Sequence, residues 1–248
     1  MKAMILAAGL GTRLRPLTND RPKALVEVAG RTLLEITLAR LRAFGIREVI
    51  INVHHFADMV VDYLKTNNNF GMRIEISRED VLLDTGGGLK KAAWFFLEDS
   101  SHDQPFILHN VDVISTIDLD SMVQFHKERK ALATLAVQAR ETSRYLLFDE
   151  HLRLAGRLSG QNGQSEFVRP SRQLEIQALA FSGIHVISPR LLSMITEDGA
   201  FSIIASYMRL AGQEEKILGF RADEYSWRDL GRPESIALAE KDFRDKVP

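Results

Sequence analysis

The chain has 248 residues, enough to bury a sizeable core, and its hydrophobic fraction of 45% is ordinary for a globular protein. Its 32 Lys and Arg residues against 33 Asp and Glu give a formal net charge of -1, which argues against a general binder of nucleic acid or membrane surfaces. Cysteine is absent, so disulfides, thiolate zinc sites and cysteine nucleophiles are excluded. No segment has the pattern of a signal peptide or a bilayer-spanning run, and the cytoplasm is the expected compartment.

Strand-like and helix-like segments alternate through the first half of the chain. An apolar run reaching Ala8 predicts a buried strand, and Thr32 with Glu35 predicts a capping box for a helix that Gly45 ends. The next segments predict a strand at 48–53, a helix at 57–65, a strand at 73–77, a helix at 89–97, a strand at 106–110 and a helix at 119–130. This alternation predicts an α/β fold with a parallel sheet covered by helices on both faces.

The pattern changes after residue 133. Short alternating runs at 134–139, 145–148, 153–157 and 174–187 predict hairpins added to the sheet. Helices are expected at 189–195, 203–210 and 233–245, with a strand at 216–220. Because no internal repeat or linker interrupts the chain, residues 1–248 are expected to form a single domain around a mixed, mostly parallel sheet.

Residues 4–25 carry the strongest functional signal. A glycine turn at Gly9 and Gly11 follows the first strand and can present main-chain N–H groups to an anion. Three cations lie beside that turn: Arg13, Arg15 and Lys23. A dinucleotide fingerprint would need glycine at Leu14, and the Gly-Lys-Ser/Thr of a P-loop is missing. A solvated loop after an edge strand is the alternative, but the coincidence of strand, glycines and cations favours a phosphate site.

Other candidate residues follow later strands, where open α/β sheets bind ligands. The run Asp84-Thr85-Gly86-Gly87-Gly88 would let a planar group such as a nucleobase approach the backbone, and a flexible connection is the alternative. Asp112 directly follows the strand at 106–110, a position that suits either Mg²⁺ or a turn. Gly183, inside a strand, indicates either close approach of a ligand or a β-bulge.

The run from Gly9 to Thr18, followed by Pro22-Lys23-Ala24-Leu25, resembles the signature of the nucleoside-diphosphate-sugar pyrophosphorylases, the sugar-1-phosphate nucleotidyltransferases. The resemblance continues at 82–112, 181–184 and 227–233, in the family's order, and the Asp-Thr-Gly-Gly-Gly form is most similar to muramate-1-phosphate uridylyltransferases. It implies a Rossmann-like nucleotide-diphospho-sugar transferase fold. Residues 1–132 would form a nucleotide-binding half and residues 133–248 a sugar-phosphate-binding half.

The same resemblance implies an enzyme that joins an NTP and a sugar 1-phosphate into an NDP-sugar and pyrophosphate, with Mg²⁺ as cofactor. UTP and an N-acetylaminosugar 1-phosphate of the muramate type are the expected substrates. Arg13 and Lys23 are the expected catalytic residues, and Asp112 and Asp229 the expected metal ligands. The expected nucleotide-binding residues are Ala7, Ala8, Gly9, Gly11, Thr12, Arg13, Asp84, Gly86, Gly87 and Asn110. Ser182, Gly183 and Glu166 are expected to bind the sugar.

Two departures from the family pattern accompany the resemblance. Val111 occupies a position that is usually glycine, and the usual Glu-Lys-Pro, whose lysine holds the sugar phosphate, is missing. Only Glu166 and Arg169-Pro170 lie in that neighbourhood.

Three alternatives stay open: a mannose-1-phosphate guanylyltransferase, a choline-phosphate cytidylyltransferase and a non-catalytic regulatory paralogue. An aromatic content of 8% argues mildly against a choline cage, and the retained cations and carboxylates argue against a regulatory role. A monomer or small homo-oligomer is expected, with neither nucleic acid nor membrane as a partner.

Overall fold

A computed structural model describes residues 1–98, 104–159, 164–168 and 175–245, and it places a ten-stranded mixed sheet at the centre of the protein. The first half contributes β1 (Lys2–Leu6), β2 (Glu27–Val28), β3 (Arg31–Thr32), α1 (Leu33–Ala43), β4 (Glu48–Val53), α2 (Ala57–Thr66), β5 (Arg73–Arg78), α3 (Asp84–Lys91), α4 (Ala93–Leu97), β6 (Phe106–Asn110), β7 (Val113–Ser115) and α5 (Leu119–Arg129). The second half contributes β8 (Ala133–Gln138), β9 (Arg144–Phe148), β10 (Leu154–Ser159), β11 (Gln164–Phe167), β12 (Gln177–Ile187), α6 (Arg190–Ser193), α7 (Ile203–Gly212), β13 (Ile217–Arg221), β14 (Trp227–Asp229) and α8 (Pro233–Asp245).

The main sheet has the strand order β11-β10-β9-β12-β6-β1-β4-β5. Strands β6, β1, β4 and β5 run parallel, as the βα alternation predicted. Strand β12 joins β6 in antiparallel register, and β9, β10 and β11 extend the sheet as hairpins. Strand β8 pairs with β12 and, in parallel, with β13. Both halves of the chain therefore share one sheet, and the predicted mixed α/β fold flanked by helices is confirmed.

Helices cover both faces of this sheet. On β1, Ala3 and Ile5 belong to the core that contains α1 residues such as Leu38. Met4, between them, faces the core that contains Phe95 and the α7 residue Tyr207. Because both faces are buried, β1 and β4 consist almost entirely of apolar residues instead of alternating with polar ones.

The start of α1 shows half of the predicted capping box. The Thr32 hydroxyl accepts a hydrogen bond from the Glu35 amide at 3.0 Å. The Glu35 carboxylate does not return to the Thr32 amide; it accepts from Arg31 Nε at 2.8 Å and from the Tyr63 hydroxyl at 3.3 Å. The reciprocal bond was predicted wrongly because these two donors compete for the carboxylate.

The predicted loop before a helix at 89–97 needs a correction, because α3 already begins at Asp84 and contains all three glycines. Their lack of side chains serves close packing within the protein. A Cβ on Gly86 would lie 2.2 Å from the Phe201 ring, and one on Gly87 would lie 2.4 Å from the Gly199 carbonyl oxygen. In the part of the chain that the structure describes, no helix is long and apolar enough to cross a membrane.

Candidate active site

A cleft of about 440 Å³ lies where the carboxyl ends of β1, β4 and β6 meet. This is the edge at which open α/β sheets bind their ligands. The residues that line it come from six separate stretches of the chain: Leu6, Ala7, Ala8, Gly9, Lys23, Asn52, Leu82, Asp84, Thr85, Asn110, Val111, Asp112 and Ala200. Seven of the predicted site residues are among them: Ala7, Ala8, Gly9, Lys23, Asp84, Asn110 and Asp112.

The glycine turn after β1 has the geometry of an anion-binding loop. Gly11 has a φ of 65°, and a Cβ there would lie 3.0 Å from the Thr18 side chain, so glycine is required. The Thr18 hydroxyl and the Leu14 amide both donate to the Gly11 carbonyl, at 2.8 and 2.9 Å, and fix the turn. Among the hydrogen bonds of the described residues, none is donated by the amides of Gly9, Leu10 or Gly11. Those amides are available to phosphate oxygens.

A buried polar network holds the start of this loop. Asn52 Oδ1 accepts from the Ala7 amide at 2.8 Å, and Asn52 Nδ2 donates to Glu79 Oε1 at 2.7 Å. Glu79 Oε2 accepts from the Leu83 amide at 2.9 Å. Asn52 and Glu79 are 2% and 4% exposed, so the network links the cleft edges of β1, β4 and β5 away from solvent.

Sequence reasoning missed both members of this network. Asn52 could have been noticed as a polar residue inside the apolar strand β4. Glu79 gave no such signal, because its partners are 4 and 27 residues away along the chain.

Lys23 and Asp112 meet inside the cleft, where the Lys23 ammonium contacts the Asp112 carboxylate. Both side chains are largely buried. Lys23 is held by a short helical turn, Lys23–Leu25, and Asp112 follows β6 directly. Val111, the departure from the family pattern, packs into the core at 3% exposure, and its amide donates to the Leu6 carbonyl at 3.2 Å. The valine is therefore compatible with an open cleft.

Asp229 reaches the same region from the far end of the chain. Strands β7 and β14 pair in antiparallel register with Asp229 opposite Val113, and the Leu230 amide donates to the Asp112 carbonyl at 2.8 Å. The main chains of the two aspartates are thus neighbours. The Asp229 carboxylate accepts from the Gly231 amide at 2.6 Å. Arg13 lies near the Asp229 carboxylate, since both contact Gly231: a Cβ built on Gly231 would lie 2.7 Å from Asp229 Oδ1 and 3.0 Å from Arg13 Nη2.

The amino-terminal turn of α3 contributes Asp84 and Thr85 to the cleft. Asp84 has a left-handed φ of 59°, and its carboxylate accepts from the Thr85 amide at 2.6 Å. The amides of Gly86 and Gly87 donate to the Phe201 carbonyl, so they are engaged within the protein. Asp84 and Thr85 are consequently better placed than the glycines to contact a nucleobase.

Of the predicted sugar residues, Ser182 and Gly183 are neighbours on β12, whereas Glu166 lies on β11, three strands away at the edge of the sheet. Ser182 is fully buried, with its hydroxyl 3.4 Å from Gln138 Oε1. Gly183, at a φ of 74°, occupies a register shift in β12, and a Cβ there would lie 2.9 Å from the Asn110 amide. The β-bulge therefore explains why glycine occupies position 183. Gly183 nevertheless packs against the cleft residue Asn110. Glu166 is exposed on the edge hairpin and ion-paired with Arg157 at 2.6 Å. Arg169 and Pro170 lie outside the described residues.

Arg140 is a further residue that sequence reasoning missed. Its guanidinium carbon lies 3.6 Å from the centre of the Trp227 ring, and its Nη2 donates to the Phe181 carbonyl at 2.7 Å. Burial lowers the pKa of Arg140, while the nearby charge of Asp229 opposes that shift. Its position directly after the strand expected at 134–139 was the available signal.

Comparison with known proteins assigns the chain to a family. Residues 2–246 match the nucleotidyl transferase family. The chain belongs to that family. N-acetylmuramate alpha-1-phosphate uridylyltransferase of Caulobacter vibrioides is 35% identical over 247 residues, covering 96% of this chain and 95% of that protein. Mannose-1-phosphate guanyltransferase of Yarrowia lipolytica is 29% identical over 95% of this nucleotidyltransferase, which spans only 62% of that protein's length. The resemblance to sugar-1-phosphate nucleotidyltransferases is confirmed.

Solved structures of low sequence identity share the fold of this nucleotidyltransferase. HddC from Yersinia pseudotuberculosis, complexed with GMP-PN, has a TM-score of 0.73 at 21% identity, with 98% of this chain and 99% of that chain covered. A putative glucose-1-phosphate thymidylyltransferase from Bacillus anthracis has a TM-score of 0.76 at 19% identity, with 100% of this chain and 97% of that chain covered. The nucleotide-diphospho-sugar transferase fold is thereby confirmed.

The carboxylates of this nucleotidyltransferase suit Mg²⁺ in type and number. Among the described residues, no group of three or more His, Cys, Asp or Glu side chains could form an all-protein metal cage. Mg²⁺ does not need one, because it commonly takes one or two carboxylates and completes its shell with water and substrate phosphates. Asp112 and Asp229, adjacent through β7 and β14, offer two such carboxylates.

Proposed function

We propose that this protein transfers a nucleotidyl group from an NTP to a sugar 1-phosphate, releasing pyrophosphate and forming an NDP-sugar. The observation that carries the proposal is the meeting of the glycine turn with the Lys23 and Asp112 side chains: Gly9 and both side chains line one cleft, and the amides at residues 9–11 have no acceptor among the described residues. A phosphate chain needs N–H donors and a cation, and its divalent ion needs a carboxylate.

In the proposed reaction, each group of residues at the cleft has a separate role. The amides of Gly9 and Gly11, together with Arg13, would bind the β- and γ-phosphates and stabilise the departing pyrophosphate. Lys23 would neutralise charge at the α-phosphate, where the sugar phosphate oxygen attacks in line. No general base is required, because the attacking phosphate is already an anion. Asp112 and Asp229 would hold Mg²⁺, which supplies further neutralisation of phosphate charge when bound.

UTP and an N-acetylaminosugar 1-phosphate of the muramate type are the substrates that we favour. The Caulobacter vibrioides relative named for that reaction matches along nearly its whole length. Guanosine is the second candidate, because mannose-1-phosphate guanyltransferases align over 95% of this chain at 29% identity. Asp84, exposed at the cleft, would contact the base and the Asn110 amide would contact the nucleotide.

A substrate panel tests the proposal. Pyrophosphate release is measured for each of the common NTPs against glucose, mannose, N-acetylglucosamine and N-acetylmuramate 1-phosphates, with and without Mg²⁺. Release is expected for at least one pair, only with Mg²⁺ and only when both substrates are present. No release from any pair would reject the enzyme and favour the regulatory paralogue. Equilibrium binding of UTP and GTP then decides the base, and a clear preference for GTP would overturn our choice of uridine.

A further inference from the structure

Arg140 is a partly buried cation in the second half of the chain. In the described parts of the chain, its guanidinium forms no ion pair, and its Nε is buried without an acceptor. Other arginines of the same half are ion-paired, as Arg209 is with Glu197 and Arg221 with Asp223. A partly buried guanidinium without a counter-ion costs free energy, so its retention needs a reason.

The surroundings of Arg140 hold it in a fixed orientation. Trp227 stacks against its guanidinium at 3.6 Å, and the Phe181 carbonyl accepts from its Nη2. Trp227 is itself fixed, because its Nε1 donates to the Ser182 carbonyl at 2.7 Å. A planar guanidinium held on one face and at one nitrogen keeps its other N–H groups for a second acceptor.

This arrangement lies near the cleft, on the side of the second half of the chain, although neither Arg140 nor Trp227 is among the residues that line it. Trp227 begins β14 and Asp229 ends it, and β14 pairs with β7, which directly follows Asp112. Gly183, next to Ser182, lies against the cleft residue Asn110. The charge of Asp229 is also close enough to influence Arg140. Arg140 is thus near Asp229, on the opposite half of the chain from the glycine turn.

We propose that Arg140, stacked on Trp227, binds the phosphate of the acceptor sugar 1-phosphate. This inference rests on the proposed function and assigns a residue to the acceptor anion. Arginine presents two parallel N–H donors that match two phosphate oxygens, and this pairing is stronger than a neutral hydrogen bond. The incoming phosphate would also supply the counter-charge that Arg140 lacks. Glu166, on the edge hairpin and paired with Arg157, offers no such cation.

The test compares the Arg140→Gln and Arg140→Lys variants with the wild type in steady-state kinetics on the best substrate pair. Arg221→Gln is the matched control, because Arg221 is an ion-paired arginine on β13 of the same half. For Arg140→Gln, we expect the KM for the sugar 1-phosphate to rise about 10- to 100-fold, the range expected for loss of a charged hydrogen bond. The KM for the NTP should stay within about twofold of the wild-type value. For Arg140→Lys, the KM for the sugar 1-phosphate should lie between those of the wild type and Arg140→Gln, since lysine keeps the charge but loses the planar fork.

Thermal melts of all variants separate binding from folding. An unchanged KM for the sugar 1-phosphate in Arg140→Gln, or equal rises in both KM values, would overturn the inference while leaving the proposed function intact. If Arg140→Gln does not fold, Arg140→Lys provides the same comparison. No turnover by the wild type with any substrate pair would instead reject the proposed function, and this inference with it.

Discussion

The Lys23 ammonium contacts the Asp112 carboxylate although 89 residues separate them in the chain. Lys23 follows the glycine turn, and Asp112 follows β6, so the contact joins the phosphate loop to the proposed metal ligand. A lysine and a divalent cation both neutralise a carboxylate. The pair therefore places Lys23 where it can contact phosphates whose charge a metal ion held by Asp112 would also neutralise.

The two aspartates are expected to act as metal ligands. Replacing either Asp112 or Asp229 with asparagine keeps the size of the side chain and removes one negative charge. We expect turnover to fall by about 10²-fold or more, the usual cost of one lost electrostatic contact to a transition state. Melting temperature should change little for Asp229→Asn, because asparagine preserves an oxygen acceptor for the Gly231 amide. It should fall for Asp112→Asn, because that change leaves the largely buried Lys23 ammonium without its counter-charge. Turnover is measured against Mg²⁺ concentration, with a melt for each variant.

Asp62→Asn is the control for this pair, since Asp62 is an exposed residue of α2, away from the cleft. It should retain wild-type turnover. If Asp112→Asn or Asp229→Asn showed normal turnover with an unchanged Mg²⁺ dependence, that residue would be removed from the metal site. The aspartate concerned would then be interpreted as a turn or cap residue.

The buried network predicts an effect of Glu79→Gln on both stability and nucleotide binding. Glutamine would place an NH2 group at one of the two carboxylate oxygen positions, where it would face a donor, either Asn52 Nδ2 or the Leu83 amide. One donor would be left unsatisfied, at a cost of about 1–3 kcal/mol in the free energy of unfolding. Because Asn52 also holds the Ala7 amide, the KM for the NTP should rise. Denaturant unfolding and steady-state kinetics measure both effects.

Glu75→Gln on the preceding strand β5 is the matched control. Its side chain is 40% exposed and lies 3.7 Å from Arg73, and such surface pairs contribute little. Equal stability losses in the two variants would mean that the network has no special role.

Gly86 is expected to be required for packing of α3. A Cβ on Gly86 would lie 2.2 Å from the Phe201 ring and 3.0 Å from the Ile203 amide nitrogen. Gly86→Ala should therefore lower the free energy of unfolding by about 1–3 kcal/mol, the usual cost of overpacking. Gly212→Ala is the control, because its nearest neighbour would be at 3.7 Å, and it should be neutral or stabilising by up to ~1 kcal/mol in a helix. Wild-type stability of Gly86→Ala would show that Phe201 moves freely.

Buried histidines predict lower stability in mild acid. Burial lowers the pKa of His126 and of His109 to about 4, and that of His185 to about 3. Unfolded histidine titrates near pH 6.5, so between that value and pH 4 the unfolded chain binds more protons than the native one. Protonation then favours unfolding, and the stability present above pH 6.5 is lost as the pH falls. Each histidine should contribute on the order of 1–2 kcal/mol of that loss.

Denaturant unfolding at pH 7 and pH 5 measures this dependence. His126→Gln keeps a polar side chain beside Thr134 and Ser188 but removes one titrating group. Its loss of stability between the two pH values should be smaller than that of the wild type. The same loss in both proteins would contradict the contribution of His126.

Sequence patterns located the long elements because those patterns are local. Pro233 marked the first residue of α8, and the strand predicted at 48–53 is β4 as observed. The three-residue strands β7 and β14 were not predicted, since each is stabilised by a partner strand more than a hundred residues away in the chain. The helix that runs through Gly86 was also not predicted, because tertiary packing against Phe201 overrides the low helix propensity of glycine.

The candidate site was predictable to a similar extent. Lys23 and Asp112 were identified from motifs next to strands, and the structure brings them into contact. Asn52 and Glu79 were missed because a buried hydrogen bond between distant residues leaves no periodic pattern. Arg140 was missed for the same reason, since its role depends on Trp227, which lies on another strand.

The most direct test of nucleotidyl transfer follows the α-phosphorus of the NTP. The NTP of the best pair from the substrate panel, labelled at that atom, is incubated with Mg²⁺ and its sugar 1-phosphate, and the products are separated. The account predicts that the label appears in the sugar nucleotide and that one unlabelled pyrophosphate is released for each sugar nucleotide formed. Label recovered as the nucleoside monophosphate without a sugar nucleotide, or remaining entirely in the NTP whichever sugar 1-phosphate is supplied, would contradict it.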